Sequence, residues 1–266
     1  SETTIKKHDA RLVYLTFSAI SSGLFQLTFT VNMVYFIVTA GLDPLQLVLV
    51  GTVLETSVLI FEIPTGIVAD VYSRRLSIII GVFLIAAGFA VTALWPLFIP
   101  ILIGQVLWGL GYTFTSGANQ AWISDEIGED HAPAIFLRGA RFSQLGALVA
   151  TAIGVLLAQK QLQAPILVSA GLFLLLGVYL ILFMPEAGFR PTPQENRTTF
   201  QHMTQTFRSG LGMLRIRPAL VGILLIGFFF GLYSEGYDRL WTASLLERFE
   251  LPALVGLNEV AWMGLI

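Results

Sequence analysis

Long apolar runs dominate the chain and are separated by short polar intervals. Windows of about 19 residues place seven runs at residues 12–39, 45–68, 76–94, 97–123, 135–158, 166–184 and 219–237, and an eighth begins near residue 255. Each run has close to the roughly 20 residues that a helix needs to cross about 30 Å of hydrocarbon. The runs are continuous rather than alternating, which favours helices over barrel strands. The pattern therefore predicts an all-α protein that crosses a membrane many times.

The longest polar interval follows the sixth run. Residues 190–196 are rich in proline and polar side chains, which is typical of a flexible linker. Apolar residues at steps of three or four then predict an amphipathic helix lying in the membrane interface: Phe200, Met203, Phe207, Leu211 and Leu214. The resulting segments are an N-terminal tail (1–11), a six-helix bundle (12–185), a linker with the interfacial helix (186–218), and a seventh helix with the start of an eighth (219–266).

Composition agrees with a membrane protein and excludes several other classes. The chain is 55% hydrophobic and 12% charged with a mean hydropathy of +0.78, whereas soluble domains carry about a quarter charged residues. The lipid bilayer is therefore its expected partner. A net charge of -2 gives no support for a nucleic-acid partner. No cysteine is present and the three histidines are scattered, so no metal site is predicted. The sequence shows no catalytic triad or phosphate loop that would indicate an enzyme, and no cofactor is expected.

Positive charge is distributed unequally between the two sides of the predicted spans. Three basic residues fall on one side: Lys160, Arg239 and Arg248. The other twelve fall on the side of the N-terminus: Lys6, Lys7, Arg11, Arg74, Arg75, Arg138, Arg141, Arg190, Arg197, Arg208, Arg215 and Arg217. Because cytoplasmic loops retain lysine and arginine, this bias predicts a cytoplasmic N-terminus.

The loop between the second and third spans carries a motif. Residues 66–75 read Gly-Ile-Val-Ala-Asp-Val-Tyr-Ser-Arg-Arg. This resembles the major facilitator loop signature, commonly G-x-L-A-D-R-x-G-R-K, with Val71 and Ser73 in place of the usual arginine and glycine. The preceding Phe-Glu-Ile-Pro-Thr-Gly, residues 61–66, is similar to the macrolide-efflux-like, drug:proton antiporter branch. The resemblance implies the major facilitator fold, with a complete N-terminal six-helix bundle and the beginning of the C-terminal bundle.

The resemblance also implies a gating role for Gly66, Asp70, Arg74 and Arg75. In the family, the acidic residue is thought to brace the outward-facing closure by docking on a helix of the second bundle. Asp70 precedes Arg74 by one helical turn, which predicts an ion pair, and Gly66 permits close backbone approach. The alternative is that both arginines only enforce topology and Asp70 balances their charge.

Two carboxylates in the second span are candidates for proton coupling. Glu55 lies near the middle of the span, and Glu62, seven residues on, lies on nearly the same face. A carboxylate in hydrocarbon costs on the order of 2.5–3.5 kcal/mol, so such residues usually face a cavity or a partner. The alternative for Glu62 is a hydrogen-bonded packing residue in the Glu-Ile-Pro turn.

Polar side chains within the spans are candidates for a substrate cavity. Those in the first, fourth and fifth spans are Gln26, Asn32, Gln105, Asn119, Gln120 and Gln144. In the seventh span, Glu235 and Asp238 share a face near its outer boundary. The alternatives are hydrogen bonds between helices for the amides and a solvated rim for the carboxylates.

Two further patterns predict contacts between helices. Small residues in the fourth span predict close helix approach: Gly104, Gly109, Gly111 and Gly117. An acidic cluster follows that span, comprising Asp125, Glu126, Glu129 and Asp130 with His131. We expect its carboxylates to pair across the loop with Arg138 and Arg141.

These features lead to two hypotheses about function. The first is a secondary active transporter in a bacterial-type inner membrane, which uses a proton gradient to export small hydrophobic or amphipathic compounds by alternating access. The second is a transport-inactive structural or assembly subunit of a membrane complex. The second is favoured by Gln105, where the family usually has arginine, and by a fifth span without the motif G-x-x-x-G-P-x-x-G-G. The chain ends at Ile266, inside the predicted eighth span, so truncation and other membrane subunits as partners are further expectations.

Overall fold

The computed structural model describes residues 9–191 and 218–248, without the side chains of residues 218, 232, 235, 239 and 246–248. These residues contain seven helices long and apolar enough to cross a membrane, which confirms the all-α fold. We label them α1 (Ala10–Phe29), α2 (Pro44–Val71), α3 (Arg74–Leu94), α4 (Phe98–Ile127), α5 (Ala132–Ala158), α6 (Ala164–Phe183) and α7 (Pro218–Arg248). The predicted interfacial helix at 200–214 and the eighth span near 255 lie outside the described residues.

The first span is interrupted, although its apolar run is continuous. After α1, both the backbone N–H and the hydroxyl of Thr30 donate to the carbonyl of Gln26, at 2.9 and 2.7 Å. A single helical turn at Asn32–Val34 and a π-helical turn at Tyr35–Thr39 complete the span. The hydroxyl of Tyr35, a fully buried residue, donates to the carbonyl of Thr92 at 2.9 Å. A π-helical turn leaves the regular ladder of hydrogen bonds, and such turns are frequent at functional sites.

The starts of α2 and α3 are marked by side-chain caps. Asp43 and Gln46 form a capping box before α2, with Pro44 in its first turn. The hydroxyl of Ser73 accepts from the backbone N–H of Leu76 at 2.9 Å and so caps α3. These caps fix where α2 and α3 begin. We refer to the membrane side on which α1 begins as the N-terminal side.

The helices pack in a definite set of neighbours. α3 contacts α4 and α6, α1 contacts α5 and α6, and α2 contacts α4. A Cβ added at Gly111 of α4 would lie 2.6 Å from the carbonyl oxygen of Gly81 of α3, and one at Gly104 would lie 2.8 Å from that of Gly88. Glycine at these positions lets the two backbones touch, as predicted for the small-residue stretch. Gly117 differs, because a Cβ there meets nothing within 4 Å.

Apolar side chains fill the bundle interior and also cover its outside. The core includes Ile78, Val82 and Phe89 of α3 and Phe173 of α6. Large exposed hydrophobics on the outside, among them Leu148 of α5, are those expected of a protein solvated by lipid. Away from the N-terminal side, α7 contacts α2 and the Asn32–Val34 turn, and Thr242 of α7 is buried.

Candidate functional site

A cavity of about 620 Å³ lies between α1, α4 and α5. Seven of its sixteen lining residues are aromatic: Tyr14, Phe17, Phe25, Phe29, Trp108, Tyr112 and Phe136. Seven more carry uncharged polar side chains: Ser18, Ser21, Ser22, Gln26, Asn119, Gln120 and Ser143. Gly139 and Ala140 are the remaining two of the sixteen described lining residues, none of which is charged. A volume of this size is typical of a small-molecule site.

Helical spacing brings the lining residues of α1 onto one stripe. Tyr14, Phe17, Ser21 and Phe25 follow one another at steps of three or four residues. The stripe is held against α5 at two points. The hydroxyl of Ser143 donates to the carbonyl of Ser18 at 3.0 Å, and the ring of Tyr14 lies over Gly139, where an added Cβ would be 2.6 Å from it. The wall of the cavity is therefore set by packing between α1 and α5.

One end of the cavity is an aromatic cluster. The Trp108 ring centroid lies 5.4 Å from that of Phe29, 6.2 Å from Phe25 and 5.8 Å from Phe89. Phe25 also meets Phe173 edge to face at 5.2 Å. Centroid separations of 4.5–7 Å in tilted arrangements are the favourable ones for aromatic pairs. Phe25, Phe29 and Trp108 thus present ring surface to the cavity and are backed by the buried rings of Phe89 and Phe173.

The predicted cavity amides divide into two groups. Gln26, Asn119 and Gln120 line the cavity. Asn32 lies in the turn beyond the break in the first span, Gln105 is buried with 5% exposure, and Gln144 is exposed on α5. None of those three lines the cavity, so their contact with substrate stays a prediction. Asp238 is exposed on α7, and the side chain of Glu235 lies outside the description.

Sequence reasoning missed the aromatic and serine lining. The predicted cavity candidates were amides and carboxylates, and they included no aromatic residue and no serine. A usable signal was present, because Ser18, Ser21 and Ser22 interrupt the apolar run of the first span on the same stripe as Tyr14 and Phe25. A helix face that alternates rings with small polar groups within a membrane span is typical of a cavity wall rather than of a lipid face.

The two carboxylates of α2 have different surroundings. Glu62 accepts a hydrogen bond at 3.2 Å from the hydroxyl of Ser116 on α4. Ser116 lines a smaller recess of about 160 Å³, together with Tyr112 and Asn119 of the main cavity. Glu55 is exposed on α2 and forms no hydrogen bond or ion pair within residues 9–191 and 218–248. Only Glu62 is therefore connected to the cavity wall in the described part of the chain.

The loop motif joins α2, α3 and α4 on the N-terminal side. Arg74 pairs with Asp70 at 3.6 Å, in the predicted i,i+4 arrangement, and forms a closer ion pair with Asp125 at the end of α4. Its guanidinium also lies 5.9 Å from the centre of the Phe189 ring. The side chain of Asp70 is 55% exposed, and a Cβ at Gly66 would meet nothing within 4 Å. No described residue makes the close approach expected at Gly66.

The expected pairing of the acidic cluster with Arg138 and Arg141 is wrong. Asp125 pairs instead with Arg74, and Glu126 accepts from the backbone N–H of Gly188 at 2.6 Å. Arg138 and Arg141 are exposed on α5 and have no ion pair with any described residue. The physical reason is direction, since the end of α4 faces α3 and the segment after α6 rather than α5.

Residues 184–189, which we call the post-α6 segment, fold back against α3 and α4. The carboxylate of Glu186 accepts from the hydroxyl of Ser73 at 2.7 Å and from the backbone N–H of Arg75 at 2.8 Å. The indole N–H of Trp122 donates to the carbonyl of Pro185 at 2.7 Å. A carboxylate at the first turn of α3 is favoured by the partial positive charge of a helix N-terminus. The segment therefore ties α6 to the beginning of α3 and the end of α4.

Comparison with known proteins relates this architecture to transporters. The model of the Major Facilitator Superfamily matches residues 15–265. An uncharacterized MFS-type transporter of Bacillus subtilis (strain 168), YxaM, is 24% identical over 247 residues, covering 88% of this chain and 58% of the relative. The chain thus spans less than two thirds of that relative.

Two solved structures share the fold. The crystal structure of the nucleoside transporter NupG in its D323A mutant form superposes with a TM-score of 0.80 at 14% identity, covering 96% of this chain and 64% of that one. The crystal structure of nucleoside transporter NupG gives a TM-score of 0.70 at 14% identity, with 97% and 63% covered. At this level of identity the likeness concerns the fold alone.

Proposed function

This chain belongs to the Major Facilitator Superfamily, and from that premise we propose that it works as a secondary active transporter of small, uncharged amphipathic or hydrophobic compounds. The observation that carries the proposal is the cavity of about 620 Å³, in which none of the sixteen lining residues that the structure describes carries a charge. A charged substrate would leave water for this site without a compensating charge from the lining, which is costly. Family membership indicates a non-enzymatic transporter, and it does not favour a purely structural subunit.

We infer a state in which the cavity opens toward the cytoplasm. The excess of basic residues on the N-terminal side supports a cytoplasmic placement of that side in a bacterial-type inner membrane. The lining residues of α5, from Phe136 to Ser143, lie in the half of that helix nearest to that side, and the lining of α1 begins at Tyr14 in its second turn. On the opposite side, we propose that the contact of α7 with the Asn32–Val34 turn belongs to the closed end of the cavity. Loading from the cytoplasm fits export, as in the macrolide-efflux-like branch.

We further propose that Glu62 couples transport to protons. The hydrogen bond from Ser116 requires an accepting oxygen on Glu62, and Ser116 belongs to the recess beside the cavity. Proton uptake would remove the negative charge of Glu62 and so weaken the hydrogen bond that it accepts from Ser116. The protonation of Glu62 would thereby be linked to the occupancy of the cavity. Glu55 is the second candidate. We also propose that Asp70, whose side chain is 55% exposed, docks on the second bundle, while Arg74 pairs both with Asp70 and with Asp125 of α4.

The test is transport by the protein reconstituted in liposomes that contain a pH-sensitive dye. An inward or outward proton gradient is imposed, and radiolabelled chloramphenicol, caffeine and thymidine, three uncharged compounds of different shape, are the probes. We expect at least one probe to accumulate against its gradient and to change the lumenal pH. Absence of both accumulation and counterflow for all three probes from a correctly folded protein would contradict the transport proposal.

Glu62→Gln tests the coupling site, with Glu55→Gln as the matched control in the same helix. We expect Glu62→Gln to abolish proton-driven accumulation while counterflow of the same probe continues, because the amide still accepts from Ser116 but cannot exchange a proton. Glu55→Gln should retain more of the proton-driven transport. If Glu62→Gln accumulates the probe as well as the wild type, the coupling role of Glu62 is refuted.

A further inference from the structure

The aromatic end of the cavity brings three ring faces together with one side-chain amide that has no hydrogen-bond partner among the described residues. Phe29 is 42% exposed, and Phe25 and Trp108 are half-buried at the cavity surface. Gln26 lies on the same turn of α1 and also lines the cavity, and its side-chain amide forms no hydrogen bond with the described residues. An amide side chain offers one acceptor and two donors side by side.

Each part of this arrangement selects a ligand property. Ring faces attract another flat ring in offset or edge-to-face geometry more strongly than a saturated ring of the same size. The buried rings of Phe89 and Phe173 hold Phe25 from behind, at 5.8 and 5.2 Å, so the surface is set before a ligand arrives. The Gln26 amide matches an edge that carries a neighbouring N–H and carbonyl. Ring faces also attract cations, but none of the lining residues supplies a carboxylate to accompany one.

We propose that Phe25, Gln26, Phe29 and Trp108 form a binding subsite for a flat, uncharged ring that carries an adjacent hydrogen-bond donor and acceptor, as in a lactam. The inference rests on the proposed function, because it names the substrate class for the same cavity. Stacking on the three rings favours a flat ligand, and the Gln26 amide favours a ligand edge that carries a neighbouring N–H and carbonyl. The same ring compound in a saturated or N-methylated form lacks one of these two features.

The test is equilibrium dialysis of the purified protein with a matched set of ligands. Quinolin-2-one is flat and has the lactam edge, octahydroquinolin-2-one keeps the edge but is not flat, and N-methylquinolin-2-one keeps the flat ring but lacks the N–H. N-methylquinolinium provides the flat cation. We expect quinolin-2-one to bind more tightly than the saturated and the N-methylated compounds, by about 2- to 10-fold in each case, and more tightly than the cation.

Two variants assign these preferences to residues. Phe29→Leu should lower the ratio of flat to saturated lactam binding, because one of the three ring faces is lost, whereas Phe142→Leu, at an exposed position on α5 outside the cavity, should leave it unchanged. Gln26→Leu should remove the penalty of N-methylation while the preference for the flat ring persists. These two losses are separate, so a variant that is poorly folded cannot imitate both.

The subsite is overturned if the flat and saturated lactams bind equally or if the cation binds most tightly. It is also overturned if Phe29→Leu leaves the ratio of flat to saturated lactam unchanged and Gln26→Leu leaves the effect of N-methylation unchanged. The subsite is also overturned if none of the three uncharged ligands binds to the protein, even when the liposome probes are transported. Conversely, lactam binding with the expected ratios, combined with no transport of any probe, leaves the subsite standing and removes the proposed function.

Discussion

Replacing Gly111 by alanine should loosen the contact between α3 and α4. The added Cβ would lie 2.6 Å from the carbonyl oxygen of Gly81 and 2.8 Å from the backbone nitrogen of Ile85. Both atoms belong to the backbone of α3 and have no rotamer to move away. Optimal contacts between heavy atoms are about 3.5–4.0 Å, so the two helices must separate by about 1 Å along much of their contact.

The magnitude follows from comparison with Gly117→Ala in the same helix. Alanine gains about 0.5–1 kcal/mol over glycine in a helix interior, and this gain cancels between the two variants. At Gly117 the added Cβ meets no atom of the described residues within 4 Å, so the difference between the variants isolates the cost of overpacking. That cost is about 1–3 kcal/mol in free energy of unfolding, with Gly111→Ala the less stable.

The free energy of unfolding can be measured by raising the mole fraction of sodium dodecyl sulfate in mixed micelles and following tryptophan fluorescence. A cycle with Gly81→Ala adds a second test, because helices already separated by one methyl group accommodate the other at reduced cost. The double variant should therefore lose less stability than the sum of the two single variants. Stabilities of Gly111→Ala and Gly117→Ala that agree within about 0.5 kcal/mol would refute this account of the α3–α4 contact.

Three further predictions use the same unfolding measurement. Glu186→Ala should cost about 1.5–3 kcal/mol, since it removes charge-assisted hydrogen bonds at the start of α3, and Glu186→Gln should cost clearly less; equal costs would contradict a carboxylate cap. Ser169→Ala should cost about 0.6 kcal/mol and at most about 1.7, because the buried hydroxyl donates to α1; a larger loss would mean that packing dominates. Arg74→Gln should cost at least about 0.5 kcal/mol less in an Asp125→Asn background than in the wild type, and strict additivity would argue against the ion pair.

The helices were predictable from sequence because hydropathy and length decide them. Runs such as 76–94 correspond to α3, Arg74–Leu94, within two residues. The break after Phe29 was not predictable, because an apolar run does not reveal that Thr30 adds a hydroxyl to the hydrogen bonding of Gln26. Hydropathy reports the solvent of a segment and not its pattern of backbone hydrogen bonds.

The candidate site was predictable only in part. The Asp70–Arg74 pair follows from i,i+4 spacing and is present. The stronger partner of Arg74, Asp125, is 51 residues away in sequence, so only the packing of α3 against α4 brings it close. Likewise, amides within the spans were predicted to hydrogen-bond substrate in a cavity, and Gln26 does line the cavity. Which ring faces a cavity and which faces lipid depends on the rotation of each helix, and the sequence of a nearly uniformly apolar span does not specify it.

The post-α6 segment also has a consequence for the order in which the protein is made. Glu186 follows Arg75 by 111 residues, and synthesis at about 5–20 residues per second delivers it roughly 6–22 s later. During that interval α3 enters the membrane without the Glu186 carboxylate at its first turn. The loop between α2 and α3 also lacks its contact with the post-α6 segment. The ribosome must therefore complete α6 before the hydrogen bonds of Glu186 to the start of α3 can form, and termination before residue 186 would prevent them.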